Sequence, residues 1–160
     1  MKDLSILDSL ITGRVEPHIY AFTTNTIPNY LKVGDTYRPV SKRLDEWKEY
    51  FPNLEKKFEG SAKITDDVYF RDFAVHSFLE SEKCRVRLEP ADLSGDVYFS
   101  REFFRDATVG DVEEAIVDIN EEFHTKSGRY HYYDAKTQLP TTEKYASTGM
   151  WFPRPGHRAF

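Results

Sequence analysis

The chain has 160 residues, the size of one domain, and its 39% hydrophobic and 31% charged residues are typical of a folded globular protein. Its net charge of −5 differs from the basic composition common among nucleic-acid-binding proteins. The charge is uneven, however. Residues 106–122 hold seven acidic and no basic side chains, whereas the rest of the chain holds 22 basic and 20 acidic ones. Net charge therefore does not exclude DNA as a partner.

Cysteine content and hydropathy indicate the compartment. Cys84 is the only cysteine, so neither a disulfide within the chain nor a cysteine-based zinc site can form. No apolar run approaches the ~18 residues that span a membrane, and the first thirty residues lack the basic-then-apolar pattern of a signal peptide. We therefore expect an intracellular, cytoplasmic protein without membrane association.

The first half of the chain predicts alternating strands and helices. Residues 1–14 predict a leading helix that ends near Gly13. Two strands follow, over 18–24 and 30–34, joined by a turn over 25–29. A helix starts near Val40, with apolar residues at helical spacing up to Phe51, and a third strand is expected over 58–64.

The second half continues the mixed pattern. Residues 66–82 predict a helix, 84–89 a short strand and 96–104 a strand with alternating apolar residues. Thr108 and Asp111 have the spacing of a capping box before the acidic helix that runs to residue 123. The chain from 125 to 160 predicts an aromatic and loop-rich extension, leading toward a domain beyond it.

This order of elements predicts an α+β fold with a mainly antiparallel central sheet flanked by helices over residues 15–124. Within it, His18-Ile19-Tyr20 lies on the first strand and Lys32-Val33-Gly34 on the second, with eleven residues between Tyr20 and Lys32. Arg43 follows nine residues after Gly34, on the next helix. This arrangement resembles the GIY-YIG endonuclease family, in which two such triplets precede a helix that carries an arginine.

The second triplet is closest to a lysine-type subgroup found in phage and helicase-linked proteins, with the pattern Lys-Ile-Gly-x-Thr and then Arg. That subgroup also has a helix with a histidine and a Glu-aromatic-Phe triplet. The resemblance covers residues 17–105. The residues that carry it beyond the first triplet are Lys32, Gly34, Thr36, Arg38, His76 and Glu102-Phe103-Phe104.

The resemblance implies a small GIY-YIG-like sandwich that hydrolyses phosphodiester bonds in DNA. In that reaction Tyr20 would act as the base, Arg43 would stabilise the transition-state charge, and Glu102 would hold Mg²⁺ or Mn²⁺. Each choice suits its residue type. A tyrosine needs neighbouring cations to act as a base, and Lys32 across the hairpin can supply one, while arginine offers a fork to phosphate oxygens.

Other matching residues are expected to support the site or the substrate. They are Arg38, Gly34, Thr36, Tyr30 and His76. Lys32 stands where many relatives have a second tyrosine, and Tyr30 can replace it because both lie on the same strand face. His76 lies on the apolar side of its helix, so a hydrogen-bonded core histidine is the alternative.

The C-terminal residues suggest a partner domain. Trp151-Phe152-Pro153-Arg154-Pro155 resembles the segment before the adenine-contacting glutamine of superfamily 2 helicases, and a fused or associated helicase or ATPase domain is therefore expected. No phosphate-binding Gly-rich loop occurs in the sequence. A lone nuclease site cuts one strand, so duplex cleavage would require a homodimer or repeated nicking.

Two other functions remain open. The same fold can act as a non-catalytic module that binds DNA or a protein, and the acidic helix over 108–123 can dock a basic protein. Tyr130, His131, Tyr132 and Tyr133 can stack on exposed bases, with a packed strand as the alternative.

Overall fold

A computed structural model of the protein describes residues 13–90, 98–125 and 127–141. The predicted leading helix, apart from Gly13 and Arg14, and the helicase-like segment at 151–157 lie outside the described residues. Within them the fold is α+β, as the sequence predicts, with two antiparallel sheets. The elements in chain order are β1 (His18–Thr24), β2 (Ile27–Thr36), α1 (Val40–Trp47), β3 (Glu55–Ser61), β4 (Lys63–Thr65), β5 (Val68–Tyr69), α2 (Asp72–Ser81), a 3-10 helix (Tyr98–Glu102), β6 (Phe103–Arg105), α3 (Val109–Thr125) and β7 (Tyr133–Asp134).

The larger sheet has the strand order β3-β1-β2-β6, with every neighbouring pair antiparallel. Successive side chains of a strand point to opposite faces. Ile19 and Ala21 of β1 accordingly pack with buried residues of α2 and α3, and Tyr20 and Phe22 pack with α1. Helices therefore cover both faces of the sheet, and the Tyr20 face belongs to α1.

The N-terminus of α3 confirms the predicted capping box. The Thr108 hydroxyl accepts a hydrogen bond from the Asp111 amide at 3.1 Å, and an Asp111 carboxylate oxygen accepts one from the Thr108 amide at 3.0 Å. These bonds satisfy two backbone groups at the start of the helix.

Two predicted boundaries are wrong near the hairpin. The turn expected over 25–29 is only two residues long, because β2 already begins at Ile27. Asn29 takes a left-handed φ of 71°, which asparagine tolerates, so the strand continues past Pro28. The strand expected over 58–64 is split at the buried Ala62, whose amide bonds to the Pro17 carbonyl, into β3 and β4 of different sheets.

Three further predictions are wrong, the first because pairing with distant strands overrides local propensity. The helix expected from residue 66 begins at Asp72, since Val68–Tyr69 pairs between β4 and β7. Residues 84–89 form one bridge, Arg87 to Phe104, instead of a strand. Residues 96 and 97 of the strand expected over 96–104 lie outside the described residues, and the rest of it forms a 3-10 helix followed by the short β6.

The segment over 129–133 is mainly loop, with only its last residue in β7. Tyr130, Tyr132 and Tyr133 are nevertheless buried, so these rings pack in the protein core. None of the helices in the described parts of the chain is long and apolar enough to cross a membrane.

Candidate functional site

The β1–β2 hairpin sets the centre of the site. Tyr20 is paired with Gly34, and Phe22 with Lys32, in the antiparallel register. A Cβ atom placed on Gly34 would lie 2.7 Å from the Tyr20 hydroxyl and 2.8 Å from the Lys32 amine. Glycine at this position therefore leaves the space that these two polar groups occupy.

Hydrogen-bond donors surround the hydroxyl oxygen of Tyr20. Trp47 Nε1 donates to it at 2.8 Å and Lys32 Nζ at 3.4 Å, both from buried positions. Trp47 belongs to α1, so the helix and the hairpin together orient the phenol.

Lys32 links Tyr20 to Glu102. Its side chain is fully buried, its Nζ lies 2.5 Å from Glu102 Oε1, and the ammonium sits 4.3 Å from the centre of the Trp47 ring. Burial opposes the charged amine, but Tyr20 and the Glu102 carboxylate outweigh it and raise the pKa of Lys32. Lys32 is therefore a positive charge held in place between Tyr20 and Glu102.

Arg43 approaches the site from α1. Its guanidinium stacks 4.9 Å above the Trp47 ring and binds Glu46 at 2.8 Å, with 35% of the side chain exposed. Burial opposes its charge, but Glu46 and Tyr20 raise the pKa of Arg43. Arg38 also binds Glu46 at 2.8 Å, and the two arginines lower the pKa of Glu46 to about 2.

Tyr20, Arg43 and Glu102 border one open pocket, called here the site pocket, with a cavity volume of about 250 Å³, whereas Lys32 lies outside its lining. The sequence predicts three of its residues as catalytic, and they come from three separate elements. The lining residues are Tyr20, Asp35, Arg43, Trp47, Arg71, Asp72, Phe73 and Glu102.

Three charged residues that the sequence does not predict as site residues also border the pocket: Asp35, Arg71 and Asp72. Arg71 binds both Asp35 carboxylate oxygens, at 2.6 and 3.3 Å, and the amide of Asp72 donates to Asp35 at 2.9 Å. Burial raises the pKa of Asp72 well above its ordinary value, and the carboxylates of Asp35 and Glu102 raise it further. Asp72 lies four residues before His76 in the sequence, and this spacing could have indicated Asp72 as a site residue. Nothing in the sequence links Arg71 to Asp35.

His76 lies outside the residues that line the site pocket. Its Nε2 donates to the Val33 carbonyl at 2.7 Å, and Asp72 lies 4.0 Å away. Burial lowers the pKa of His76 to about 4, so the ring is neutral at physiological pH. These contacts match the alternative of a hydrogen-bonded core histidine.

The remaining predicted residues also lie outside the pocket lining. Thr36 is buried and accepts a hydrogen bond from the Arg38 amide at 3.0 Å, which fixes the turn into α1. Arg38 is 55% exposed and faces Glu46. Tyr30 is half-buried and packs at the margin of the aromatic cluster around Phe22.

Glu102 is the residue that could hold a metal ion. It is partly exposed and borders the pocket, and Mg²⁺ accepts a single protein carboxylate when water and substrate supply the other ligands. The described residues contain no group of three metal-ligating side chains. The donor set therefore fits a cation anchored by one carboxylate, one oxygen of which already binds Lys32.

Several basic side chains of the chain are paired with acids. Arg14, Lys48, Lys56 and Lys57 each bind an acidic side chain within 4 Å, so their charges are partly neutralised. On α3 the acidic Glu114 and Asp118 are likewise bound by Lys83 and Arg129. The acidic docking face that the sequence predicts on this helix therefore carries less unpaired charge than the sequence indicates.

No protein-family model matches the chain, and neither a curated protein nor a solved structure matches it.

Proposed function

We propose that this chain is a metal-dependent DNA endonuclease domain of GIY-YIG type that hydrolyses phosphodiester bonds. One observation carries the proposal: Tyr20, Arg43 and Glu102 come from three elements and border a single open pocket, with Lys32 joined to both Tyr20 and Glu102. A base, a cation and a metal-binding carboxylate are the groups that this hydrolysis requires.

Each side chain has a role set by its contacts. The phenolate form of Tyr20 would accept the proton of the attacking water and become the neutral phenol, with Lys32 and Trp47 donating to its oxygen. Arg43 presents its partly exposed guanidinium to the phosphate oxygens, held by Glu46 and the Trp47 ring. A divalent cation at Glu102 would supply charge stabilisation at the leaving oxygen.

The Lys32–Glu102 contact favours a second candidate. At 2.5 Å the ammonium already neutralises the carboxylate that would anchor a metal ion. A module that binds DNA without cutting it would keep this pair intact. Salt-dependent DNA binding without cleavage under any metal condition would select this second candidate.

The proposal also covers the compartment and the partners of the chain. We propose a cytoplasmic protein, consistent with the exposed unpaired thiol of Cys84, that acts on DNA together with a fused or associated helicase or ATPase domain. The net charge of −5 and the pairing of basic side chains such as Lys48 and Lys56 with acids favour modest DNA affinity of the chain itself, which such a neighbour would increase.

Plasmid nicking tests the proposed function. Supercoiled plasmid is incubated with the chain and Mg²⁺ or Mn²⁺, with EDTA as the metal-free control. Removing a transition-state cation costs about 10²–10³ in rate, so Arg43→Ala is expected to lose that much. The adjacent exposed Lys42→Ala, outside the pocket lining, is the matched control and should retain activity.

Glu102→Gln tests the metal anchor, and Glu49→Gln, an exposed acid of the same size, is its control. Thermal melting of every variant separates loss of fold from loss of chemistry. Cleavage that survives both Arg43→Ala and Glu102→Gln would overturn the proposal, as would the absence of cleavage by the wild-type chain with either metal.

A further inference from the structure

Phe73 is an exposed aromatic side chain beside the site pocket. It follows Asp72 in the first turn of α2, and 39% of its surface is accessible. Its side chain borders the site pocket and also a second pocket on the other side, with a cavity volume of about 450 Å³. An aromatic ring thus stands between the proposed phosphate-binding groups and a neighbouring cavity.

The second pocket is lined by both aromatic and polar side chains. Phe73 supplies the exposed aromatic surface, the buried Tyr133 lies at its base stacked on Tyr69, and Ser77 and His131 supply hydrogen-bonding groups. Arg87 also borders it, but both of its bonds to Glu80, at 2.7 and 3.1 Å, neutralise its charge. The cavity falls within the ~300–1,000 Å³ typical of small-ligand sites.

The orientation of the Phe73 ring is set by its neighbours. The Arg71 guanidinium lies 5.8 Å from its centre, and the His76 ring meets it edge-on at 6.5 Å. Arg71 is itself held by two bonds to Asp35. A ring held in this way loses little freedom when a ligand stacks on it.

We propose that Phe73 and the second pocket form a nucleobase-binding subsite that takes one unstacked base of single-stranded DNA next to the cleaved phosphate. The proposal rests on the proposed nuclease function. Single-strand binding combines cations that hold phosphate with aromatic rings that stack on bases, and Arg43 and Phe73 border the same pocket. In a duplex both faces of a base are covered, so only an unstacked nucleotide presents a free face.

The charge pattern sharpens the proposal. Because Arg87 is paired with Glu80, the second pocket offers stacking in place of phosphate contacts. Loss of Phe73 should therefore weaken single-strand binding without changing its salt dependence. Loss of Arg43, a phosphate contact, should reduce the slope of log K against log salt by about 0.7, the value for one phosphate contact on a single strand.

The test measures binding of the full chain in EDTA to a single-stranded oligonucleotide that carries 2-aminopurine, and to the matched duplex. We expect tighter binding of the single strand and quenching of the 2-aminopurine as it stacks. Phe73→Ala should weaken single-strand binding about ten- to hundredfold. Phe73→Trp should preserve it, and so should Tyr50→Ala, an exposed aromatic that borders neither pocket.

Unchanged single-strand binding by folded Phe73→Ala, or equal affinity of the wild-type chain for the duplex, would overturn the subsite. If Phe73→Ala does not fold, unquenched 2-aminopurine on the wild-type chain overturns it instead. Plasmid nicking separates the two proposals. If the wild-type chain nicks plasmid but Phe73→Ala binds the single strand as tightly as wild type, only the subsite is ruled out. If the wild-type chain neither binds DNA nor nicks it, the nuclease function is ruled out as well.

Discussion

A lysine without accessible side-chain surface is rarely found in a protein interior unless its charge is paired. The charge of Lys32 is paired with Glu102, whose Oε1 lies 2.5 Å from the ammonium, and the ammonium also contacts the Tyr20 hydroxyl and the face of the Trp47 ring. In the proposed GIY-YIG-type site Lys32 would stand where many members of that family have a tyrosine, so a cation would take the place of a neutral hydroxyl. The consequence is that Tyr20 and Glu102 share one buried positive charge.

Gly34 gives a prediction at the residue scale. Because a methyl group there would lie 2.7 Å from the Tyr20 hydroxyl, Gly34→Ala should displace Tyr20 or Lys32. We expect a loss of about 1–3 kcal/mol in the free energy of unfolding, measured by urea titration, typical of overpacking. Gly110→Ala is the control: its new Cβ would meet its nearest neighbour at 3.6 Å on a helix, so it should stabilise by up to ~1 kcal/mol. If Gly34→Ala and Gly110→Ala were equally stable, the close contacts described at Gly34 would be contradicted.

His76 gives a pH prediction. Burial holds its pKa near about 4 in the folded protein, below the ordinary 6.5, so its contribution to stability is present above pH 6.5 and is lost as the pH falls toward 4. His76→Gln can still donate to the Val33 carbonyl but does not titrate. Between pH 7 and pH 4, wild type should lose about 3 kcal/mol more than His76→Gln in urea unfolding. The raised pKa of Asp72 acts in the opposite direction in both proteins, so the difference isolates His76. Parallel pH profiles would disprove this account.

At the scale of elements, α3 depends on its first turn. Thr108 and Asp111 exchange two hydrogen bonds there, and Arg85 holds Asp111 at 2.9 Å. Thr108→Ala should therefore cost about 0.5–2 kcal/mol in thermal or urea unfolding. Thr125→Ala, at the opposite end of the same helix, removes no cap of this kind and should cost less. A larger loss from Thr125→Ala would show that the N-terminal bonds do not stabilise the helix.

Elements with strong local signals could be predicted from the sequence, and those that depend on distant partners could not. The hairpin and α1 have their own periodicity, so Tyr20 and Arg43 were expected near each other, as the structure places them. β5 is only two residues long and exists because β4 and β7 pair with it. No local pattern encodes that pairing, and the Arg71–Asp35 ion pair, 36 residues apart, has the same origin.

At the scale of the whole molecule, charge and site number determine the expected reaction. Arg14, Lys48, Lys56 and Lys57 are each paired with an acid and the chain has a net charge of −5, so we expect long-range attraction to DNA to be weak. One chain carries one proposed site and, on the proposed function, would cut one strand at a time. Supercoiled plasmid should therefore convert to the nicked circle before any linear form, as followed on agarose gels over time. Linear DNA that appears without a preceding nicked circle would contradict a single-site chain and indicate a homodimer.

The cleavage rate of Tyr20→Phe tests the central claim most directly. The substitution keeps the ring that packs against Phe22 and removes only the oxygen that Trp47 and Lys32 contact. Tyr132→Phe is the control, because that buried hydroxyl bonds to the Ile119 carbonyl and lies outside the lining of the site pocket. With Mg²⁺ or Mn²⁺ and excess enzyme, Tyr20→Phe should cleave about 10²–10⁴ times more slowly than wild type, and Tyr132→Phe at the wild-type rate. A folded Tyr20→Phe that cleaves as fast as wild type would contradict the account.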